Sequence, residues 1–279
     1  MLDPLTRAFY RELAAWMAQR KGGQRCPIFG INGAQGSGKS SAAGFLKTAL
    51  SSAHGLQAIV LSLDDFYLPR AARLDLAVKV HPLFATRGVP GTHDVDLGVD
   101  TLKKLLSLQP GEKLALPRFS KAEDDRMLAT NWPTVEGPVD LILFEGWCVG
   151  ITPQSRSELD VPANDLEASE DADGRWRNIV NEHLGASYAE WFSRLDALVF
   201  LRVPDFECVR RWRWQQEQDT ARMADRSAVG VQSQTQLDRF IKHYERLTSH
   251  ALRVMPDQAD VLLTLREDHT VGEIRFRQT

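Results

Sequence analysis

At 279 residues and 43% hydrophobic, the chain is long enough to bury a full core, and one domain over residues 1–279 with insertions is expected. A formal net charge of -3 leaves no global basic field to hold nucleic acid or an anionic membrane, so any anion site has to be local. Cys26, Cys148 and Cys208 have neither zinc nor disulfide spacing, no apolar run reaches the roughly 20 residues of a membrane span, and Asp3, Arg7, Arg11 and Glu12 occupy the place of a signal peptide's apolar stretch; an unanchored cytoplasmic protein is expected.

Leu5, Phe9, Leu13 and Trp16 recur at helical spacing and predict an opening helix with one apolar stripe, ended by Lys21-Gly22-Gly23. Pro27 to Asn32 reads as a strand, followed by a glycine-rich turn and a helix from about Ser40 to Leu50. Three more near-continuously apolar runs, Ala58 to Leu63, Val139 to Phe144 and Ala197 to Val203, alternate with helical patterns. Such runs suit a central, mostly parallel sheet flanked by helices on both faces, an α/β fold of three layers.

The stretch of about 68–137 carries turn signals at Arg87-Gly88, Pro90-Gly91 and Gln109-Pro110-Gly111 around a helix near Val99 to Leu108, and the substrate site is expected there. Thr152 to Asp173, rich in Ser, Asp, Glu and Pro, predicts a mobile acidic surface insertion over about 152–174. Ile179, Leu184, Tyr188 and Trp191 line another helix, Phe206 to Gln218 and Leu237 to Leu252 form two more, and Asp260 to Leu265 supplies a further strand.

Gly33-Ala34-Gln35-Gly36-Ser37-Gly38-Lys39-Ser40 fits the P-loop pattern in full, after a strand and at the start of a helix, with Ser41 next in line. Its glycines let successive backbone N–H groups converge on phosphate oxygens, Lys39 is placed to reach the β- and γ-phosphates of ATP, and the Ser40 hydroxyl to ligate Mg²⁺. The fold class narrows to a P-loop NTPase fold. Because GTPases, motor ATPases and small-molecule kinases share this loop, the fate of the γ-phosphate must be read from other residues.

Asp64 and Asp65 follow directly on the second strand, at the carboxyl edge of the sheet where ligands of open α/β folds bind. Phosphoryl transfer to an alcohol needs a carboxylate to orient the hydroxyl, and Asp64 is the first candidate, with a turn-capping role as the alternative. Glu145 ends the third strand as a lone acid on a buried run, which suits a place beside Mg²⁺. Arg210, Arg211 and Arg213 lie on a predicted helix with Trp212 and Trp214, and Arg222 follows; an arginine from this lid can neutralise the transferred phosphoryl, Arg213 being the catalytic candidate. Arg87, His93, Asp94, Arg118, Lys121 and Arg126 in the long connection are candidates to clamp an anionic substrate. His81 and His93 have no metal-ligand spacing.

The order of these pieces resembles the P-loop kinases that include uridine kinase, phosphoribulokinase and pantothenate kinase, and most closely the plant-type D-glycerate 3-kinases with their fungal and bacterial relatives. The resemblance runs from about Ile28 to Leu265. It is carried by the P-loop, by Ser62-Leu63-Asp64-Asp65-Phe66-Tyr67-Leu68, by Arg87-Gly88-Val89-Pro90-Gly91-Thr92-His93-Asp94, by Leu116-Pro117-Arg118-Phe119-Ser120-Lys121, and by Phe144-Glu145-Gly146-Trp147 and Trp212-Arg213. It implies Asp64 as catalytic base and a ligand near the metal, Glu145 at the metal, an arginine lid around Arg213, and Asp65 and Tyr67 beside the substrate. Asp124-Asp125-Arg126 departs from the subgroup's usual glycine-containing motif. The activity implied is ATP- and Mg²⁺-dependent phosphorylation of a small anionic molecule, D-glycerate to 3-phosphoglycerate first. A sugar acid, nucleoside or pantothenate-like acceptor, or a nucleotide-binding regulator without transfer, are the alternatives.

Overall fold

The structure, a computed structural model, describes residues 2–23, 26–223 and 234–277. In chain order the elements are α1 (Pro4–Lys21), β1 (Ile28–Gly33), α2 (Lys39–His54), β2 (Ala58–Ser62), α3 (Arg70–Lys79), α4 (Val95–Ser107) and four short strands, β3 (Lys113–Ala115), β4 (Phe119–Ser120), β5 (Asp125–Arg126) and β6 (Thr134–Glu136). Then come β7 (Leu141–Gly146), α5 (Asp165–Glu170), α6 (Arg175–His183), α7 (Ala189–Phe192), β8 (Ala197–Arg202), α8 (Phe206–Met223), α9 (Gln234–Gln258), β9 (Val261–Leu265) and β10 (Val271–Phe276). Among the described residues the main sheet has six strands in the order β10-β9-β8-β1-β7-β2, parallel except for the β9–β10 pair.

Alternation along each buried strand builds two cores, because successive side chains point to opposite faces. Phe29, Ile31, Leu141, Leu143, Val199 and Leu201 pack with Leu13, Met17, Leu46 and Leu50 of α1 and α2. On the other face Ile28, Ile142 and Phe144 meet Trp191, Leu247 and Met255. The three-layer P-loop fold expected from the apolar runs is the fold observed.

Several local expectations need correction. The buried stripe of α1 is Thr6, Tyr10, Leu13, Ala14 and Met17, while Leu5 lies exposed, because α1 packs against both α2 and β10 and its Thr6 Oγ1 accepts the Val271 N–H at 2.9 Å. The 152–174 segment is no solvated excursion. Its Leu159, Leu166, Glu167 and Asp171 are buried, with Glu167 accepting from Arg246 of α9 at 2.6 and 2.8 Å and Asp171 from Arg177 of α6 at 3.0 Å. Paired, hydrogen-bonded charges can be buried where lone ones cannot. Strand β10 was missed, since an edge strand with Glu273 and Arg275 facing water has only a weak alternation. Among the described residues no helix is long and apolar enough to cross a membrane.

Candidate active site

Strand β1 lies between β7 and β8, with Asn32 level with Gly146 and Gly33 level with Leu201, so the loop that leaves it emerges at the middle of the sheet's carboxyl edge. Gly36 and Gly38 take φ of 78° and 84°, the left-handed conformation that curls the loop, and a Cβ on Gly36 would lie 3.1 Å from Cβ of Trp212. The Ser37 hydroxyl is buried in the cradle without a hydrogen-bond partner. Lys39 Nζ donates to the Ala34 carbonyl at 2.9 Å, and burial lowers the Lys39 pKa against the opposing pull of Glu145 and Asp64.

Register places Glu145 beside both Ile31 of β1 and Ser62 of β2. Its side chain is buried, and Ser40 Oγ, at the first turn of α2, donates to its Oε1 at 2.9 Å. A hydroxyl and a carboxylate oxygen are thus side by side at the P-loop, a donor set that suits a hard cation completed by phosphate oxygens and water.

Immediately after β2 the chain enters a 3-10 turn, Leu63–Phe66, which turns Asp64 toward the same edge. Asp64 Oδ1 accepts from the Tyr67 hydroxyl at 3.0 Å and Oδ2 from Lys121 Nζ at 2.6 Å. Burial alone would raise the Asp64 pKa, but Lys121's charge and hydrogen bond, with Lys39 beyond, bring it down to about 2. The Tyr67 ring stacks on His93 with centroids 4.4 Å apart, and His93 Nδ1 lies 2.6 Å from the Tyr188 hydroxyl. Burial lowers the His93 pKa to about 3, so this imidazole is neutral.

One cavity of about 640 Å³ is lined by the loop from Gln35 to Ser41 together with Asp64, Tyr67, Arg87, Lys121, Glu145 and Arg213. Arg213 lies on α8, which is fixed beside the loop by Trp212: its Nε1 donates to the Glu267 carbonyl at 2.9 Å and its ring stacks on His269 at 4.1 Å. Arg222 lies outside the described side chains.

Asp65, His93, Asp94, Arg118 and Arg126, read from sequence as substrate ligands, do not line this cavity. Arg118 forms an ion pair with Asp65, Arg126 donates to Asp94 at 3.0 Å and to the Tyr67 carbonyl at 3.0 Å, and His93 is buried under Tyr67. These pairs clip the β4–β5 hairpin to the strand end instead. Ala34 contributes its carbonyl to Lys39 and lines a separate small void.

The sequence reading missed Trp147 and Tyr244 as wall residues. Trp147 Nε1 donates to the Gly88 carbonyl at 3.1 Å and the Tyr244 hydroxyl to the Arg87 carbonyl at 2.9 Å, so two aromatic side chains hold the backbone that carries Arg87. Trp147 was signalled by its place after Glu145, whereas Tyr244 is one aromatic residue of an amphipathic helix and had no signal. Arg73, fully buried, was also missed; it pairs with Asp124 at 2.9 Å, and Asp124 pairs in turn with Arg87.

No protein-family model matches the chain. It is 33% identical over 215 residues to the chloroplastic D-glycerate 3-kinase of Arabidopsis thaliana, covering 74% of this chain but only 44% of that protein's length. With the uncharacterized kinase mug58 of Schizosaccharomyces pombe it shares 33% identity over 230 residues, 78% of either chain. Its fold is that of the D-glycerate 3-kinase from Cryptococcus neoformans var. grubii, with a TM-score of 0.78 at 21% identity, covering 99% of this chain and 100% of that one.

A nucleotide loop at the switch point of a parallel sheet, with kinases as relatives, defines a P-loop kinase. Within that class the chain belongs to the same family as the kinase mug58 of Schizosaccharomyces pombe, and it is similar in sequence to part of the plant D-glycerate 3-kinase and in fold to the fungal one.

Proposed function

We propose that the chain catalyses ATP- and Mg²⁺-dependent phosphorylation of a small hydroxy acid, D-glycerate to 3-phosphoglycerate being the leading reaction. The observation that carries this reading is the convergence on one cavity of the P-loop, the Ser40 and Glu145 oxygens, the Asp64 carboxylate paired with Lys121, and Arg87. The name of the Arabidopsis relative supports the choice of acid. The segment of about 68–137 is the acceptor-binding insertion, since it contributes Arg87 and Lys121 to the cavity that holds Asp64, Lys121 pairing with that carboxylate.

Ser37 and the loop amides bind the phosphates, and Lys39 and Arg213 neutralise the charge on the transferred group. Ser40 and Glu145 would hold Mg²⁺, which when bound supplies charge neutralisation between the phosphates. Asp64, beside that pair, orients the acceptor hydroxyl. The acceptor oxygen forms its bond to the γ-phosphorus, the bond from that phosphorus to the β,γ-bridging oxygen breaks with its electron pair leaving on ADP, and the hydroxyl proton passes to Asp64. Paired with Lys121, Asp64 is held at a pKa of about 2, and even a weakly basic carboxylate suffices because in a loose phosphoryl transition state the proton leaves late.

The test is ADP release by the purified chain with D-glycerate, L-glycerate, other sugar acids, glycerol, nucleosides and pantothenate. The expected result is a kcat/KM for D-glycerate well above every other acceptor. Turnover restricted to a nucleoside or pantothenate would reassign the acceptor, and no stimulation by any of them would favour a nucleotide-binding regulator.

A further inference from the structure

Both oxygens of the Asp64 carboxylate are engaged, Oδ1 by the Tyr67 hydroxyl and Oδ2 by the Lys121 ammonium. Oδ1 faces the buried Tyr67, so a hydroxyl oriented by Asp64 approaches Oδ2 and has to share it with the Lys121 ammonium or displace it. Tyr67 leaves no room to give way, because its ring is buried between His93 and Phe119. Lys121 is the opposite case. Its side chain is 63% exposed, against 28% for Asp64, and it ends in a flexible four-carbon arm.

The hairpin that carries Lys121 is itself held. Arg118 pairs with Asp65, Asp65 Oδ1 accepts the Phe119 N–H at 3.2 Å, and Asp124 pairs with Arg73 and Arg87. Release of Asp64 therefore requires only that the lysine arm swing away from an anchored base. In water-accessible surroundings exchanging one ion-pair partner for another changes the energy little, whereas breaking the pair with nothing in return carries a penalty.

We infer that Lys121 makes Asp64 available only to an acceptor that carries an anionic group beside its reacting hydroxyl: the acceptor inserts into the ion pair, its carboxylate taking Lys121 and its hydroxyl taking Asp64. This rests on Asp64 being the group that meets the hydroxyl, and it extends that reading to the selection of the acceptor. A neutral polyol has to break the pair unaided and is disfavoured, on the order of tenfold. In the absence of an acceptor the pair also withholds Asp64 from water, which would otherwise give its proton to Asp64 as its oxygen bonds to the γ-phosphorus and the bond from that phosphorus to the β,γ-bridging oxygen breaks, leaving ADP and inorganic phosphate.

The experiment measures ADP release from ATP by the whole chain without any hydroxy acid, with acetate or with chloride at equal ionic strength. Acetate has the carboxylate and no hydroxyl, so it can occupy Lys121 and leave Asp64 to water. Acetate is expected to raise ADP release severalfold over chloride. Lys121→Met is expected to show the raised rate without acetate and no response to it, Lys121→Arg to stay low and responsive, and Asp64→Asn added to Lys121→Met to cancel the gain. A merely structural lysine predicts loss of activity in Lys121→Met, not a gain. Absence of the acetate response, or a Lys121→Met rate no higher than that of the parent, overturns the proposal. No hydroxy acid enters this assay, so inactivity toward D-glycerate with the acetate response intact would count against the acceptor's identity alone.

Discussion

Ser40 Oγ donates to Glu145 Oε1 at 2.9 Å across 105 residues of chain, joining the first turn of the P-loop helix to the tip of the neighbouring parallel strand. Only the sheet order, with β1 beside β7, allows that contact. Glu145→Gln and Ser40→Ala are each expected to raise the Mg²⁺ concentration for half-maximal activity, by about tenfold to a hundredfold. On the proposal that the two oxygens serve one ion, the double variant should cost less than the product of the single effects. Unchanged Mg²⁺ titrations would remove both residues from the metal site.

Gly88 faces Tyr244 so closely that an added Cβ would lie 2.2 Å from the tyrosine oxygen. Gly88→Ala should displace Tyr244, lose its hydrogen bond to the Arg87 carbonyl, and cost about 1–3 kcal/mol of stability. Kinetics should separate the two substrates, with the acceptor KM rising and the ATP KM near its original value. A rise in the ATP KM alone would place Arg87 away from the acceptor.

The Arg246–Glu167 pair is the strut between α9 and the acidic segment. Glu167→Gln leaves a buried guanidinium without its counter-charge, for which urea unfolding should register a loss of about 3–5 kcal/mol. Replacing both residues, Arg246→Met with Glu167→Leu, should recover part of it. Recovery stays incomplete because Arg246 also donates to the Glu158 and Val161 carbonyls, at 2.9 and 2.7 Å.

Acid should destabilise the fold in two steps of the same sign. Burial lowers His93 to about 3 and His243 to about 4, so between about pH 6.5 and 4 the unfolded chain binds protons that the folded one does not, and stability falls as pH falls. Asp64 and Glu158, both held to about 2, add a second loss below about pH 4.5, where their carboxylates protonate only in the unfolded chain. Urea midpoints measured from pH 8 to 4 should drop through the first window, and His243→Gln should flatten that drop. A flat profile down to pH 4 would mean that these imidazoles are charged in the fold.

The parts of the molecule that were legible in its sequence are those with a local cause. The loop from Gly33 to Ser40 declares itself by glycine and lysine spacing, and the parallel strands by unbroken apolar runs. Asp64 was readable because it follows a strand directly. What the sequence hid is pairing at a distance: nothing near Asp65 or Asp94 shows that Arg118 and Arg126 will neutralise them, and nothing in the acidic segment announces Arg246, about eighty residues further on. A cation in a long connection reads the same whether it meets a substrate, as proposed for Lys121, or an internal carboxylate, as Arg126 does. The α1 stripe was displaced for a related reason, since a threonine that caps a strand N–H is as buried as a leucine.

Nucleotide binding and acceptor-stimulated ADP release measured side by side in Asp64→Asn test the division of labour most directly. Calorimetric ATP affinity should stay within about threefold of the parent while acceptor-dependent turnover falls by about 10²- to 10⁴-fold, the range for a positioned general base. Loss of affinity in step with turnover, or turnover that survives the substitution, would contradict the assignment of Asp64 to the acceptor hydroxyl.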